Sequence, residues 1–92
     1  MEEVGKITES TTSSFIFRAE KEMRKHDYVK VGEVLAQVWE IKQQSNGIFA
    51  YAHIIGSESK RYMARSPFKI GSEVYRAEEQ FIKKVLDVKI LL

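Results

Sequence analysis

Residues 33–55, EVLAQVWEIKQQSNGIFAYAHII, carry the strongest indication of the fold. Apolar and polar side chains largely alternate along both halves, which is typical of β-strands because successive side chains point to opposite faces of a sheet. Asn46 and Gly47 lie between the two halves, and both residue types tolerate the positive φ angles of tight hairpin turns. The sequence therefore predicts two antiparallel strands, Glu33–Ile41 and Ile48–Ile55, joined by a short turn.

The side chains of these two strands predict a closely curved sheet. The first strand carries apolar residues on both faces, which indicates a β-bulge or burial on both sides, as at a barrel corner. In the second strand Ala50 and Ala52 alternate with large side chains, a pattern suited to the crowded interior of a small barrel. We expect His53 to be a barrel residue with a satisfied ring nitrogen, and Trp39 to lie in the core or at an interface.

Four further segments have strand character, with β-branched and aromatic residues bounded by turn residues. Pro67 cannot donate a ladder hydrogen bond, so the last strand is predicted to begin after it, and Gly71 lets the backbone bend there. The polar stretch before the third strand is predicted to be a loop or one frayed helical turn, with His26 exposed. The four segments are Val4–Thr8, Ser14–Ala19, Tyr28–Val31 and Ser72–Ala77.

A helix is predicted after the last strand. From Glu78 onwards the apolar residues form one stripe at helical spacing, with acidic residues in the first turn and lysines nearer the end, the order that the helix dipole favours. Large aliphatic residues follow, so we expect the tail either to pack back on the barrel or to continue into another part of the protein. The apolar positions are Phe81, Ile82, Val85, Leu86, Ile90 and Leu91.

Together these segments predict a mainly β fold: a small closed antiparallel β-barrel of about six strands over residues 1–77, followed by a C-terminal α-helix and tail over residues 78–92. The length of 92 residues is enough for one domain.

Composition excludes several classes of function. The chain has no cysteine, which removes disulfides, thiol nucleophiles and cysteine-bound zinc. The acidic amino terminus does not resemble a signal peptide, and no apolar run reaches the length of a membrane span. We therefore expect a cytoplasmic protein without membrane association. A formal net charge of +2 is a weak indication of nucleic-acid binding.

The sequence also contains no pattern of catalytic or cofactor-binding residues. Nothing matches a phosphate-binding loop or a serine-nucleophile motif, and His26 and His53 have no metal-ligand spacing. We expect no enzymatic activity of this chain by itself, and no cofactor or metal.

The segment that follows the fifth strand is a long basic loop. Loops of this length in compact domains are often functional. Small barrels bind single-stranded nucleic acid through a basic groove and stacked aromatic rings. A nucleic-acid-binding module is therefore the alternative hypothesis of function. Its candidate contacts, which could equally bind a protein partner, are Lys60, Arg61, Tyr62 and Arg65, with Tyr51 and Phe68 as further aromatic rings.

The order of three segments resembles one known family. These are VGKITESTTSSFIFRAE (4–20), DYVKVGEVLAQVWEI (27–41) and PFKIGSEVYRAEEQFIKKVLDV (67–88). The chain resembles the amino-terminal β-barrel of HerA-type hexameric ATPases, which is called the HAS-barrel and is shared with ATP synthase subunits. The chain departs from such barrels at Gly32, the single residue that joins two segments that often have a longer hairpin between them.

The resemblance implies a non-catalytic barrel that sits as a collar on a hexameric ring, supports the association of subunits, and docks a NurA-type nuclease in DNA-end processing. The expected partners are other copies of the chain or an attached ATPase domain, with DNA contacted only indirectly or weakly. ATP hydrolysis is not expected, because the chain stops where the nucleotide-binding core would begin. We expect contacts through edge strands and through the loops at residues 18–30 and 60–66. Candidate interdomain or oligomer contacts are Phe81, Ile82, Val85, Leu86, Ile90 and Leu91.

Overall fold

The computed structural model describes the backbone of residues 1–59 and 66–91, and the side chains of the same ranges as far as Asp87. Six strands close into an antiparallel barrel, and one helix follows them. The predicted fold class is therefore confirmed. The elements are β1 (Glu3–Ser10), β2 (Ser14–Ala19), β3 (Tyr28–Val31), β4 (Val34–Gln44), β5 (Gly47–Ser57), β6 (Glu73–Arg76) and α1 (Glu79–Leu91).

The order of strands around the barrel is β1-β2-β5-β4-β3-β6, and β6 pairs with β1 to close it. The β1–β2, β3–β4 and β4–β5 pairs are hairpins between consecutive strands. The β2–β5, β1–β6 and β3–β6 pairs join strands that are distant in sequence. Each of the six strands consequently has a partner on both sides.

Two tight turns depend on glycine. Gly32, with φ of 59°, is the first of two turn residues between β3 and β4, the position where a type II′ turn requires positive φ. The predicted hairpin between β4 and β5 is confirmed, but its turn lies one residue earlier than expected, at Ser45 and Asn46. Gly47 is already paired with Gln44 and takes the positive φ, 139°, by itself.

The interior is filled by residues of complementary size. Phe15 faces Ala52 and Phe17 faces Ala50 across the β2–β5 pair, and all four side chains are buried. A large ring thus lies opposite a small side chain, which allows dense packing in a narrow barrel. The alternation of small and large residues in β5 therefore places the alanines inside, a choice of face that the sequence left open. The remaining buried members of this core are Val4, Ile7, Met23, Val29, Val31, Ala36, Val38 and Val74.

The predicted bulge in the fourth strand is confirmed, because the β4–β5 register shifts between Leu35 and Ala36 and again between Val38 and Glu40. The second shift leaves Trp39 without an opposite partner and on the outside of the barrel, where the residue is 49% exposed. A core position for Trp39 is therefore wrong, and an interface position stays a prediction.

The stretch between β2 and β3 is an irregular segment, as predicted, rather than a helical turn. His26 is exposed, as expected, and has φ of 79°. The backbone amide of His26 donates to the carbonyl of Val38, and the amide of Val38 donates to the carbonyl of Asp27. The segment is therefore held against β4, and Met23 is buried in the barrel although its sequence neighbours are polar.

Candidate functional site

Helix α1 packs on the outside of the barrel, over a row of residues that runs across three strands. Lys30 of β3 pairs with Leu35 of β4, and Leu35 pairs with Gly56 of β5. The absence of a side chain at Gly56 makes room for the helix, because a Cβ built there would lie 3.3 Å from Cγ1 of Val85. Both Leu35 and Val85 are at most 1% exposed, yet neither belongs to the interior core. The contact is therefore a second apolar cluster between helix and barrel.

Polar contacts fix the helix on both sides of this cluster. The ammonium group of Lys30 lies 4.5 Å from the centre of the Phe81 ring, a cation–π contact. The ammonium group of Lys84 donates to Oε1 of Glu58 at 2.9 Å. This hydrogen bond is the main reason that the pKa of Glu58 lies below its usual range, and the charge of Lys84 adds to it. These exposed contacts add orientation more than stability.

The connection between β6 and α1 is short. The strand ends at Arg76 and the helix begins at Glu79, so only two residues join them. One of these, Ala77, donates its amide to the carbonyl of Tyr28 at 3.0 Å and so continues the pairing with β3. The helix therefore leaves the barrel without a flexible linker.

The structure brings the predicted interdomain residues together only in part. Val85 is buried against the barrel, and the side chains of Phe81, Ile82 and Leu86 are half-buried. The remaining two, Ile90 and Leu91, belong to the last turns of α1, and their side chains lie outside the described residues. The first turns of the helix thus pack on the barrel and keep part of the apolar stripe accessible. The two arrangements predicted for the tail concern side chains outside the described residues and stay predictions.

A second surface, which sequence reasoning did not find, lies on the outer side of β2, β5 and β4. Trp39 and Tyr51 make an edge-to-face pair with ring centres 5.8 Å apart. Ile16 of β2 lies opposite Tyr51, and Phe49 follows two residues away on the same side of β5. We call this surface the aromatic face; its apolar members are Ile16, Trp39, Phe49 and Tyr51.

Basic residues flank the aromatic face. Arg18 and Lys42 lie on either side of Phe49 in the strand register, on β2 and β4. The ammonium group of Lys42 is 5.0 Å from the centre of the Tyr51 ring. His53 lies in β5, as expected, two residues beyond Tyr51 on the same side of the strand, and it is exposed. The signal that could have found this face is the alternation in β5 and β4. Once Ala50, Ala52 and Val38 face the interior, the intervening Tyr51 and the adjacent Trp39 face outward.

A network of charges around Arg76 serves the fold rather than a site. The guanidinium of Arg76 donates to Oε1 of Glu2 at 2.7 Å and to the carbonyl of Glu22 at 3.1 Å, and it lies 3.6 Å from the carboxylate of Asp27. The hydrogen bond from Arg76 holds the pKa of Glu2 below its usual range. These contacts tie the amino terminus and the segment before β3 to β6.

The predicted basic contacts Lys60, Arg61, Tyr62 and Arg65 lie outside the described residues. Of the further rings proposed for nucleic-acid stacking, Tyr51 is on the aromatic face. Phe68 instead packs against the core, with its ring 5.5 Å from that of Phe15 in an edge-to-face arrangement.

The barrel is closed, so each strand is paired on both sides over at least part of its length. The end of β4 from Glu40 to Gln44 pairs with β5 but not with β3, so it has a strand partner on one side only. Association through edge strands therefore stays a prediction, and outer faces, loops and the helix are the other surfaces that a partner could contact. Among residues 1–59 and 66–91, no group of three or more acidic, histidine or cysteine residues could hold a metal ion. Within the same residues, no helix has the length and apolar character needed to cross a membrane.

Comparisons with known proteins found no match: no family model, no curated protein and no solved structure is similar to this chain.

Proposed function

We propose that this chain is a non-catalytic assembly and partner-docking barrel of a HerA-like, cytoplasmic DNA-processing ATPase. In this function the barrel supports the association of subunits into a ring and offers a docking surface to a nuclease of the NurA type. The proposal is based on the resemblance of three segments in the same order, and the closed barrel with a following helix is compatible with it.

The observation that carries the proposal is the joint between the barrel and α1. A collar on a ring has to keep a defined orientation to its neighbours, which a flexible linker would not provide. Here Val85 is buried against Gly56, Lys84 pairs with Glu58, and the connection from Arg76 to the helix is two residues long. The half-buried side chains of α1 then present an apolar surface at a fixed angle to the barrel.

Sedimentation velocity across a wide range of concentrations tests this function. We expect the 92-residue chain to self-associate and Ile82→Glu to weaken that association, because a charge at the centre of an apolar contact has to be desolvated. Lys83→Gln is the matched control, since it also lowers the net charge by one on the neighbouring, exposed position of the same helix. Circular dichroism establishes that both variants are folded.

A chain that remains a monomer at all concentrations contradicts the role of α1 in assembly. Equal association of Ile82→Glu and the wild type would also contradict it, because the accessible apolar side of the helix would then take no part in the contact.

A further inference from the structure

We propose that the aromatic face binds single-stranded nucleic acid, with the bases stacked on Trp39 and Tyr51 and the phosphates held by Arg18 and Lys42. This inference does not depend on the proposed function, because it concerns the outer side of β2, β5 and β4 and not helix α1.

The rings of Trp39 and Tyr51 lie side by side on the outside of the barrel. The bulge between Val38 and Glu40 places Trp39 outside the regular ladder, next to Tyr51 and half exposed. A large aromatic side chain that stays half exposed on the outer side of a small barrel stabilises the fold less than a buried one does. Their π faces are the kind of surface on which unpaired bases stack, whatever the base sequence.

The aromatic face also carries two basic residues, Arg18 and Lys42. Among residues 1–59 and 66–87, neither Arg18 nor Lys42 has an acidic partner within 4.0 Å. Two acidic residues lie at the ends of the next row: Glu9 opposite Ile16, and Glu40 opposite Tyr51, 3.8 Å from the ammonium group of Lys25. The hairpin end of the face therefore carries two cations without an acidic partner beside apolar rings, which matches a ligand with both phosphates and exposed bases.

The register of β2, β5 and β4 places the cations at one end of the aromatic face. Arg18, Phe49 and Lys42 lie in one row across three strands, and Tyr51 lies in the next row. The guanidinium of Arg18 lies over Gly47, because a Cβ built on that glycine would be 2.8 Å from Nε of Arg18. The cations thus border the rings at the hairpin end of the face. The phosphate-binding edge is thus separate from the stacking area. A single-stranded nucleic acid lying across the face needs both, because its phosphates and its bases lie on different sides of its backbone.

Fluorescence provides a direct test, because Trp39 is the only tryptophan in the chain. We expect an oligothymidylate of about 12 nucleotides to quench Trp39 emission and to raise the anisotropy of a label on the oligonucleotide. Affinity is expected to fall between about 50 and 200 mM salt as phosphate contacts release counterions. Oligouridylate in parallel distinguishes RNA from DNA, and a blunt duplex is expected to bind more weakly because its bases are already stacked.

Single substitutions locate the binding site, with affinity measured by the anisotropy of the labelled oligonucleotide. Tyr51→Ala and Trp39→Ala are each expected to weaken binding about 10-fold, the loss of one stacked base. Lys42→Gln is expected to reduce the slope of log affinity against log salt by about 0.7, the loss of one phosphate contact on a single strand. The matched control is Lys69→Gln, which changes the charge equally at an exposed position in the segment before β6, outside the aromatic face; it is expected to bind as the wild type does.

Four results would overturn the inference. The first is the absence of binding at low salt. The second is an equal loss in Lys42→Gln and Lys69→Gln, which indicates only diffuse attraction. The third is binding that survives in Trp39→Ala but is lost when Lys60, Arg61 and Arg65 are replaced together. The fourth is a chain that binds no oligonucleotide but loses self-association in Trp39→Ala, which would make this face a protein interface.

Discussion

The replacement Gly5→Ala is expected to damage the barrel severely. Gly5 lies in β1, buried between Ala19 of β2 and Val74 of β6. A Cβ built on Gly5 lies 2.1 Å from the carbonyl oxygen of Arg18, whereas real Cβ atoms essentially never approach closer than 3.0 Å. The backbone of β2 would therefore have to move by about 0.9 Å, the difference between these two distances. Since β2 is paired on both sides, it cannot move without breaking ladder hydrogen bonds.

Overpacking of this kind typically costs about 1–3 kcal/mol, and a clash with paired backbone belongs at or above the upper end. A domain of 92 residues is stable by about 5–14 kcal/mol, so the loss is a large fraction of the total. A loss of about 3 kcal/mol corresponds to a fall in Tm of about 12–24 °C for a domain of this size. Thermal and urea unfolding, followed by circular dichroism, measure the change.

Gly71→Ala is the control for this experiment. Gly71 has φ of 91° and nothing within 4 Å of a built Cβ, so its replacement costs only the strain of a left-handed backbone, about 1–2 kcal/mol. We expect Gly5→Ala to lower Tm clearly more than Gly71→Ala. Equal losses in the two variants would refute the close approach of β1 and β2 at Gly5.

The remaining predictions concern the helix and the surface charges. Val85→Ala is expected to lower the free energy of unfolding by about 1.6 kcal/mol, because it removes the equivalent of two buried methylene groups. Amide hydrogen exchange is expected to increase more in α1 than in β2. Equal increases in both elements would contradict a helix that is held on the barrel by Val85. Arg76→Gln is expected to raise the pKa of Glu2 towards its usual value, measured by carboxyl carbon shifts in NMR; an unchanged value would contradict the hydrogen bond. Because the folded pKa of Glu2 is depressed, its contribution to stability is present above the unfolded pKa and is lost as pH falls through the folded one. Lys84→Gln is expected to raise the pKa of Glu58 in the same way, and Lys83→Gln to leave it unchanged.

Much of the fold could be predicted from the sequence because the interior of the barrel imposes a regular alternation on it. The bounds of β2 and β3 agree with the prediction, and the alternation of Ala50 and Ala52 with larger residues predicted a strand with two different faces, of which the alanine face is the inner one. The ends of β4 and β5 were predicted too short. Those ends extend to Gln44 and Ser57, and the polar end of β4 is exposed, so no alternation marks it.

Other features depend on contacts that are distant in sequence. The pairing of β2 with β5 and of β6 with β1 brings together strands that no turn joins. Met23 is buried because the segment around it is tied to β4, and nothing in its polar neighbourhood indicates that. The aromatic face could not be predicted for a related reason. Ile16 and Arg18 come to lie beside Tyr51 and Phe49 only through the pairing of β2 with β5, which no turn indicates.

The barrel and α1 form one rigid unit, on which the proposed assembly function depends. Residual dipolar couplings of backbone amides, measured in a weakly aligned sample, report directly on this rigidity. We expect the couplings of the six strands and those of α1 from Glu79 to Asp87 to fit a single alignment tensor with the structure described above. Couplings of the helix that are scaled down, or that require a different tensor, would contradict a fixed joint and with it the assembly function proposed for the chain.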